Sequence, residues 1–210
     1  MKRRSFARFA ATVLALGSLA LAPLAHAADE SPDAMIKRLS DEVIASIKSD
    51  KGVQGGDINK IVALVDSKIM PNVNFQRMTA AAVGPAWRQA SPEQQKRLQD
   101  EFKILLVRTY AGALEQVNDQ VITVKPLRSA AADTEVVVRT EVRGRGDPIQ
   151  LDYRMEKTGT GWKIYNLNVL GVWLVETYRS QFAQEINAKG VDGLIATLAE
   201  RNRSNAARKG

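Results

Sequence analysis

The sequence predicts an α+β fold, a curved antiparallel four-stranded sheet whose apolar face is covered by N- and C-terminal helices. Three observations lead there. Apolar residues recur at three- and four-residue spacing up to about residue 118, the period changes to two between residues 120 and 170, and the helical period then returns. With no cysteine in 210 residues, no disulfide staples the chain, so a packed core has to hold it.

The first 27 residues stand apart from that pattern. Lys2, Arg3, Arg4 and Arg8 precede an Ala/Leu-rich run from Phe9 to Leu21, and Ala25-His26-Ala27 is a small-x-small site, so residues 1–27 read as a cleaved signal peptide. The run, interrupted by Gly17 and closed off by Pro23, is shorter than the ~20 residues of a membrane-spanning helix. Arg3-Arg4-Ser5-Phe6 is compatible with twin-arginine export as well as with a plain basic leader. No cysteine follows the cleavage site to carry a lipid anchor, so the expected product is free in a bacterial periplasm, with secretion beyond it as the alternative.

Residues 28–200 are expected to form one domain. Met35, Ile36, Leu39, Val43, Ile44 and Ile47 make one face of a helix over 31–49, which Lys51 to Gly56 interrupts. Asp57 caps a second helix carrying Ile58, Ile61, Val62, Leu64, Val65 and Ile69, stopped before Pro71. A short third helix from about Asn74 holds Phe75, Met78 and Val83. Ser91-Pro92-Glu93-Gln94 combines an N-cap, a first-turn proline and a capping-box glutamine, opening a long helix with Leu98, Phe102, Leu105, Leu106, Tyr110, Ala113, Leu114 and Val117.

Strand alternation follows. Val121 to Leu127 reads as a first strand. Val136, Val138, Thr140 and Val142 alternate with Glu135, Arg139, Glu141 and Arg143, and Ile149, Leu151, Tyr153 and Met155 with Gln150, Asp152, Arg154 and Glu156. A fourth strand opens at Trp162, where Trp162 and Ile164 share one parity while Leu167 and Val169 have the other. That slip predicts a bulge near Tyr165-Asn166. After Gly171 the helical spacing resumes with Val172, Leu174, Val175, Tyr178, Phe182 and Ile186; Gly190 ends that helix, and Val191, Leu194, Ile195 and Leu198 form a last one. Residues 201–210, with Arg201, Arg203, Arg208 and Lys209, read as a basic flexible tail.

Composition narrows the function. The only histidine is His26, inside the leader, so the mature chain is expected to hold neither histidine nor cysteine, which removes cysteine, serine–histidine and zinc chemistry. Tyr110 and Tyr153 could serve as phenols, but Asp152 and Glu141 have the parity of the opposite sheet face, so no acid–base pair forms. No enzyme is expected and no cofactor. Of 30 Lys+Arg, the four in the leader leave 26 against 23 Asp+Glu, too even a balance for nucleic-acid binding. Arg139, Arg143, Arg145 and Arg154 could meet a phosphate or simply lie on a solvated outer face.

Two longer stretches carry a resemblance. Trp162 to Val172, continuing through Tyr178-Arg179-Ser180-Gln181-Phe182 and Gly190-Val191-Asp192-Gly193-Leu194, resembles the C-terminal signature of the MlaC or toluene-tolerance (Ttg2D-like) family. Gly84 to Gln94, followed by Phe102, Leu105, Leu106 and Tyr110, is similar to the same family. The likeness covers nearly the whole mature chain, with two departures: Asn166 where the family usually has Asp, and Leu170-Gly171-Val172-Trp173 where it has Glu-Gly-x-Ser.

The resemblance implies a periplasmic phospholipid carrier with an NTF2-like sheet, its helices enclosing an apolar cavity for the acyl tails. It also implies partners, an inner-membrane ABC lipid transporter complex and an outer-membrane lipoprotein complex, between which lipid is shuttled to maintain outer-membrane asymmetry. Phospholipid is then cargo, bound by a monomer. Candidate tail-lining residues are Phe75, Met78, Phe102, Leu106 and Tyr110 on the early helices, Val136, Val138, Val142, Leu151 and Tyr153 on the sheet, and Val169, Val172 and Leu174 at the junction to the last helices. The alternatives are a periplasmic protein-binding or chaperone module and an NTF2-like enzyme.

Overall fold

The Ser31 hydroxyl accepts from the Ala34 amide just ahead of Pro32, and this cap fixes the start of α1 (Pro32–Ser49). The computed structural model describes residues 30–115, 117, 119–128, 130, 132–144 and 146–207. The expected signal peptide, Arg145, Arg208 and Lys209 lie outside the described residues. Asp50 then caps a single extra turn, α2 (Lys51–Gln54), where the glycine-rich sequence suggested only a break. Asp57 caps α3 (Ile58–Leu64), which continues as a π-turn (Val65–Ile69) and a 3₁₀ turn (Met70–Asn72). Asn74 caps α4 (Phe75–Val83); Gly84, at φ 72°, ends it and opens a 3₁₀ turn (Gly84–Arg88). In the capping box ahead of α5 (Pro92–Glu115), Ser91 Oγ accepts from the Gln94 amide and Gln94 Oε1 from the Ser91 amide.

The sheet has five strands in sequence order, β1 (Val121–Val124), β2 (Glu135–Arg143), β3 (Ile149–Thr158), β4 (Gly161–Val169) and β5 (Val172–Trp173), all neighbours antiparallel. Two expectations are corrected. The first strand stops at Val124 instead of Leu127, because Pro126 has no N–H to give the ladder. The expected four strands become five: Leu170 and Gly171, at φ 52° and 87°, form a two-residue turn that folds Val172 back onto Val169, so Val172 belongs to a strand and the last helix begins at Leu174. The predicted bulge is present. Arg154 pairs with Asn166 and Met155 with Ile164, leaving Tyr165 as the extra residue, and this returns Trp162 and Ile164 to the same face as Leu167 and Val169.

After β5, α6 (Leu174–Ala207) runs to the end of the described chain with one break at Gly190, whose φ 69° and ψ −174° only glycine adopts without strain. Residues 201–207, expected as a flexible tail, are helical. Asn202 is buried against α5, and its amide nitrogen donates to the Glu101 carbonyl at 3.0 Å and to its carboxylate at 2.8 Å. No helix among the described residues is long and apolar enough to cross a membrane.

Three apolar clusters result. The largest joins α4, the following 3₁₀ turn, α5 and α6, with Phe102 at its centre and wholly buried. The Phe102 ring stacks on Phe75 (5.7 Å between centroids) and meets Tyr178 (4.9 Å) and Phe182 (5.2 Å) edge-on. A second cluster seals α1 onto the sheet through Met35, Ile36, Leu39, Val136, Val138, Met155 and Ile164. The third ties α1, α2 and α3 to α5 through Ile47, Val53, Ile61, Leu64, Val107 and Ala111. Phe102→Ala removes the ring that Phe75, Tyr178 and Phe182 share, and it is expected to lower unfolding free energy by about 3–5 kcal/mol in guanidinium titrations.

Candidate functional site

Strand register decides which residues share the inner face. Val136 lies opposite Met155, Val138 opposite Tyr153, Thr140 opposite Leu151 and Val142 opposite Ile149; Tyr153 and Leu151 in turn lie opposite Leu167 and Val169, and Val169 opposite Val172. Seven of the eight expected sheet and junction residues, Val136, Val138, Val142, Leu151, Tyr153, Val169 and Val172, therefore sit on one face, and the eighth, Leu174, opens α6.

Cover over that face is uneven. At the end where β2 begins, Val136, Val138, Met155 and Ile164 are buried beneath α1. Toward the other end, where β2 turns into β3 and β4 into β5, the apolar residues emerge: Tyr153, Leu167, Leu151, Val142 and Val169 are half-buried, while Ile149 is 42% and Val172 51% exposed. A side chain that faces inward yet keeps accessible surface borders a space wide enough for a small probe. The same sign marks Leu106 and Tyr110 at the margin of the helical cluster.

The helical candidates divide by the same criterion. Phe75, Met78, Phe102 and Leu174 are buried in the packed helical cluster, where Phe102 at 0% has no surface left to offer a ligand. Leu106 and Tyr110 retain some. Leu167 on β4, Ile122 and Val124 on β1 and Val43 on α1 are also half-buried apolar residues, and they were not among the residues picked from sequence. Their signals were present, since Ile122 and Val124 alternate with Val121 and Thr123, and Val43 continues the Leu39 stripe.

Polar groups near this face are few. Thr140 is buried at 1%, and its hydroxyl donates to the Leu151 carbonyl at 3.0 Å, so it adds no free donor to the apolar wall. Burial pushes the Tyr153 hydroxyl up from its ordinary pKa, partly offset by the Thr140 and Ser40 side chains beside it; burial likewise raises Tyr110. Neither phenol titrates near neutrality. Of the arginines considered for phosphate, the three described are on the other face or occupied: Arg143 bonds Glu141, and Arg154 bonds Glu176 while its guanidinium lies 3.9 Å over the Trp173 ring. Arg139, opposite Asp152, is exposed. Among the described residues no group of three or more acidic, histidine or cysteine side chains is placed to hold a metal.

An apolar strip on a helix-covered antiparallel sheet, sealed at one end and open at the other, suits a long apolar ligand. A family model described as MlaC protein matches residues 37–200. The chain belongs to the MlaC family. It is 27% identical over 175 residues to the toluene tolerance protein ttg2D of Pseudomonas putida, covering 83% of this chain and 81% of that one. It is 23% identical over 177 residues to the intermembrane phospholipid transport system binding protein MlaC of Haemophilus influenzae, covering 82% and 83%. The solved structure of a phospholipid-binding protein from Ralstonia solanacearum, in complex with a phospholipid, superposes at TM-score 0.81 with 50% identity, over 85% of this chain and 99% of that one.

Within this MlaC-family chain, the junction between sheet and α6 depends on Asn166. It is 2% exposed; its Nδ2 donates to Glu176 at 2.8 Å, and its Oδ1 accepts from the Leu167 amide (2.9 Å) and the Val175 amide (3.2 Å). The second acceptor bond satisfies an N–H in the first turn of α6. Desolvation works to raise the Glu176 carboxyl, but the bonds from Asn166 and Arg154 outweigh it and hold the group below the usual value of 4.5. A carboxylate held low when folded adds stability that is complete above the ordinary glutamate pKa and disappears as pH falls through the lower folded value. Asn166→Asp sets a second carboxylate against Glu176 and removes the donor. It is expected to cost about 1–3 kcal/mol near neutral pH, less below about pH 4 where a proton can be shared, and Glu176→Gln in the same chain should recover most of the loss. Thermal melts of the parent and the two variants across that range check the sign.

Proposed function

We propose that this chain is a periplasmic phospholipid carrier that shelters acyl tails against the half-buried strip of the sheet. The observation carrying the reading is the strip itself: Leu151, Tyr153, Val142, Leu167 and Val169 face inward with surface left uncovered, and Leu106 and Tyr110 border the helical side. Support comes from the Ralstonia relative, which aligns over almost its entire length and was solved with a phospholipid.

Transfer energetics explain the lining. Each methylene moved out of water is worth about 0.8 kcal/mol, so two tails of roughly 30 methylenes carry on the order of 24 kcal/mol of apolar transfer. A cavity as apolar as a bilayer matches that cost without trapping the cargo. Aliphatic contacts have no preferred direction, so tails slide along them. No bond is made or broken. The carrier extracts, shelters and releases, shuttling lipid between an outer-membrane lipoprotein complex and an inner-membrane ABC transporter as a monomer, and so maintains the asymmetry of the outer membrane. Val136, Val138, Phe75, Met78, Phe102 and Leu174 form the dry frame behind the lining, and Val172 stands at its mouth.

The test is mass spectrometry of the organic extract of the purified protein, beside the native mass of the intact complex. Near-stoichiometric diacyl phospholipid is expected; a well-folded protein free of lipid would give the strip to a protein ligand instead. Leu151→Trp places an indole in the space while leaving the dry frame untouched. Its bound phospholipid should fall severalfold with melting still cooperative, whereas Val138→Trp, sealed under α1, should lose stability as well.

A further inference from the structure

We propose that Tyr153 is the end-stop of the strip and so selects the acyl length this carrier holds. The proposal rests on the carrier reading above and adds what decides which tails fit. Strand pairing sets the inner face out in rows. Val142 lies opposite Ile149; Thr140 opposite Leu151 and Leu151 opposite Val169; Val138 opposite Tyr153 and Tyr153 opposite Leu167; Val136 opposite Met155 and Met155 opposite Ile164. Exposure falls along β3 in the same order, from Ile149 at 42% through half-buried Leu151 and Tyr153 to Met155 at 0%. The row behind Tyr153 is closed throughout, with Val136, Met155 and Ile164 all buried beneath α1. Tyr153 is therefore the last side chain on β3 that a tail entering from the open end can touch.

Its ring also spans the gap between layers. The backbone of Tyr153 belongs to the sheet, while its hydroxyl has the Thr140 side chain of β2 and the Ser40 side chain of α1 beside it. The ring packs against the sealed cluster together with Val43 and Val124. A ring that starts on the sheet and ends at α1 crosses the strip instead of lying along its floor.

Chemistry agrees with position. Ser40 and Thr140 are both buried, so the phenol is the third hydroxyl gathered in an otherwise apolar wall. The Thr140 proton is already given to the Leu151 carbonyl. Methylenes offer these oxygens no hydrogen bond, so a tail pushed into this row would desolvate polar groups without return. Size and polarity stop it at the same place. From Ile149 to Tyr153 is four residues of strand, about 13 Å, against about 15 Å for half of a bilayer's hydrocarbon core. A tail of bilayer length laid along the strip thus reaches the ring. Each further methylene has to stay in water, which lowers occupancy about fourfold, the equivalent of about 0.8 kcal/mol.

The test reads length selection. The parent's organic extract is first checked for phospholipid. The protein is then stripped of lipid and reloaded from detergent micelles holding equal amounts of dimyristoyl, dipalmitoyl and distearoyl phosphatidylglycerol, and the bound species are counted by native mass spectrometry. Tyr153→Ala is expected to raise the ratio of distearoyl to dipalmitoyl lipid at least about tenfold over the parent, from two methylenes at about fourfold each. Tyr153→Trp should lower it. Tyr153→Leu loses less packing and should raise the ratio by a smaller factor, so it decides the matter if the alanine variant fails to melt cooperatively. Val136→Ala makes room one row behind the ring and leaves the ring in place, so its ratio should stay parental. Parental ratios in folded, lipid-bound Tyr153 variants overturn the proposal and leave the carrier reading standing. So does a rise in Val136→Ala equal to that in Tyr153→Ala, which would put the limit in total volume. A folded Tyr153→Leu that binds no lipid overturns it too, by making the ring part of the grip. A parent with no phospholipid in its extract overturns the carrier reading itself, and this proposal with it.

Discussion

Helix α1 covers one end of the sheet's apolar face and stops short of the other, and the rest of the molecule is arranged around that unequal cover. Apolar surface left in water is a loss that a small domain has to recover elsewhere. It is recovered in the helical layer, where Phe75, Phe102, Tyr178 and Phe182 pack ring against ring and Leu98, Leu194, Ile195 and Leu198 close around them. Stability and binding thus lie in different places. The helical cluster can be fully packed because nothing has to enter it, and the open half of the sheet can remain loosely covered because the fold does not depend on sealing it.

Polar contacts follow the same division. Asn74 caps α4 through the Arg77 amide and donates to Glu156, while Arg77 bonds Glu135 and Glu156 and lies 3.7 Å over the Tyr165 ring, whose hydroxyl donates to Glu135. The Arg77 and Tyr165 bonds hold the Glu135 carboxyl below its usual range. Exposed ion pairs of this kind are weak singly. Gathered around the bulge residue, they fix where α4 meets β3 and β4 and so the width between helices and sheet. Asn166, Glu176 and Arg154 do the same for α6. Directional bonds thus set the frame, and the inner face carries contacts that have no direction.

The sequence disclosed much of this and concealed a specific remainder. Period changes located the helices and strands, and the parity slip between Ile164 and Leu167 pointed to the bulge because a strand with one buried face cannot change parity without inserting a residue. Gly171 was misleading: it reads as the end of a strand, but with Leu170 also left-handed it makes a hairpin, and nothing about a leucine advertises that conformation. Sealed and lining positions could not be told apart either. Val136 and Val142 are the same residue type on the same face of one strand, and only the packing of α1 over Val136 makes one dry while the other is half-open. Asn202 was hidden for a similar reason, since a polar residue in a basic segment looks like a tail until Glu101, a hundred and one residues earlier, is placed beside it.

Neighbouring strands are also consecutive in the chain, so the sheet assembles from local hairpins, whereas the helical layer joins α4 and α5 to an α6 that is made only after the whole sheet. Contacts between distant segments form late because loop closure has to be met before they contribute. During synthesis the half of the sheet that α1 leaves open is therefore an exposed, sticky surface until the final helix emerges, a window in which it is available to chaperones and to aggregation. A chain interrupted before α6 would keep that face and lack its helical wall, which makes completeness of the polypeptide itself a condition for holding any cargo.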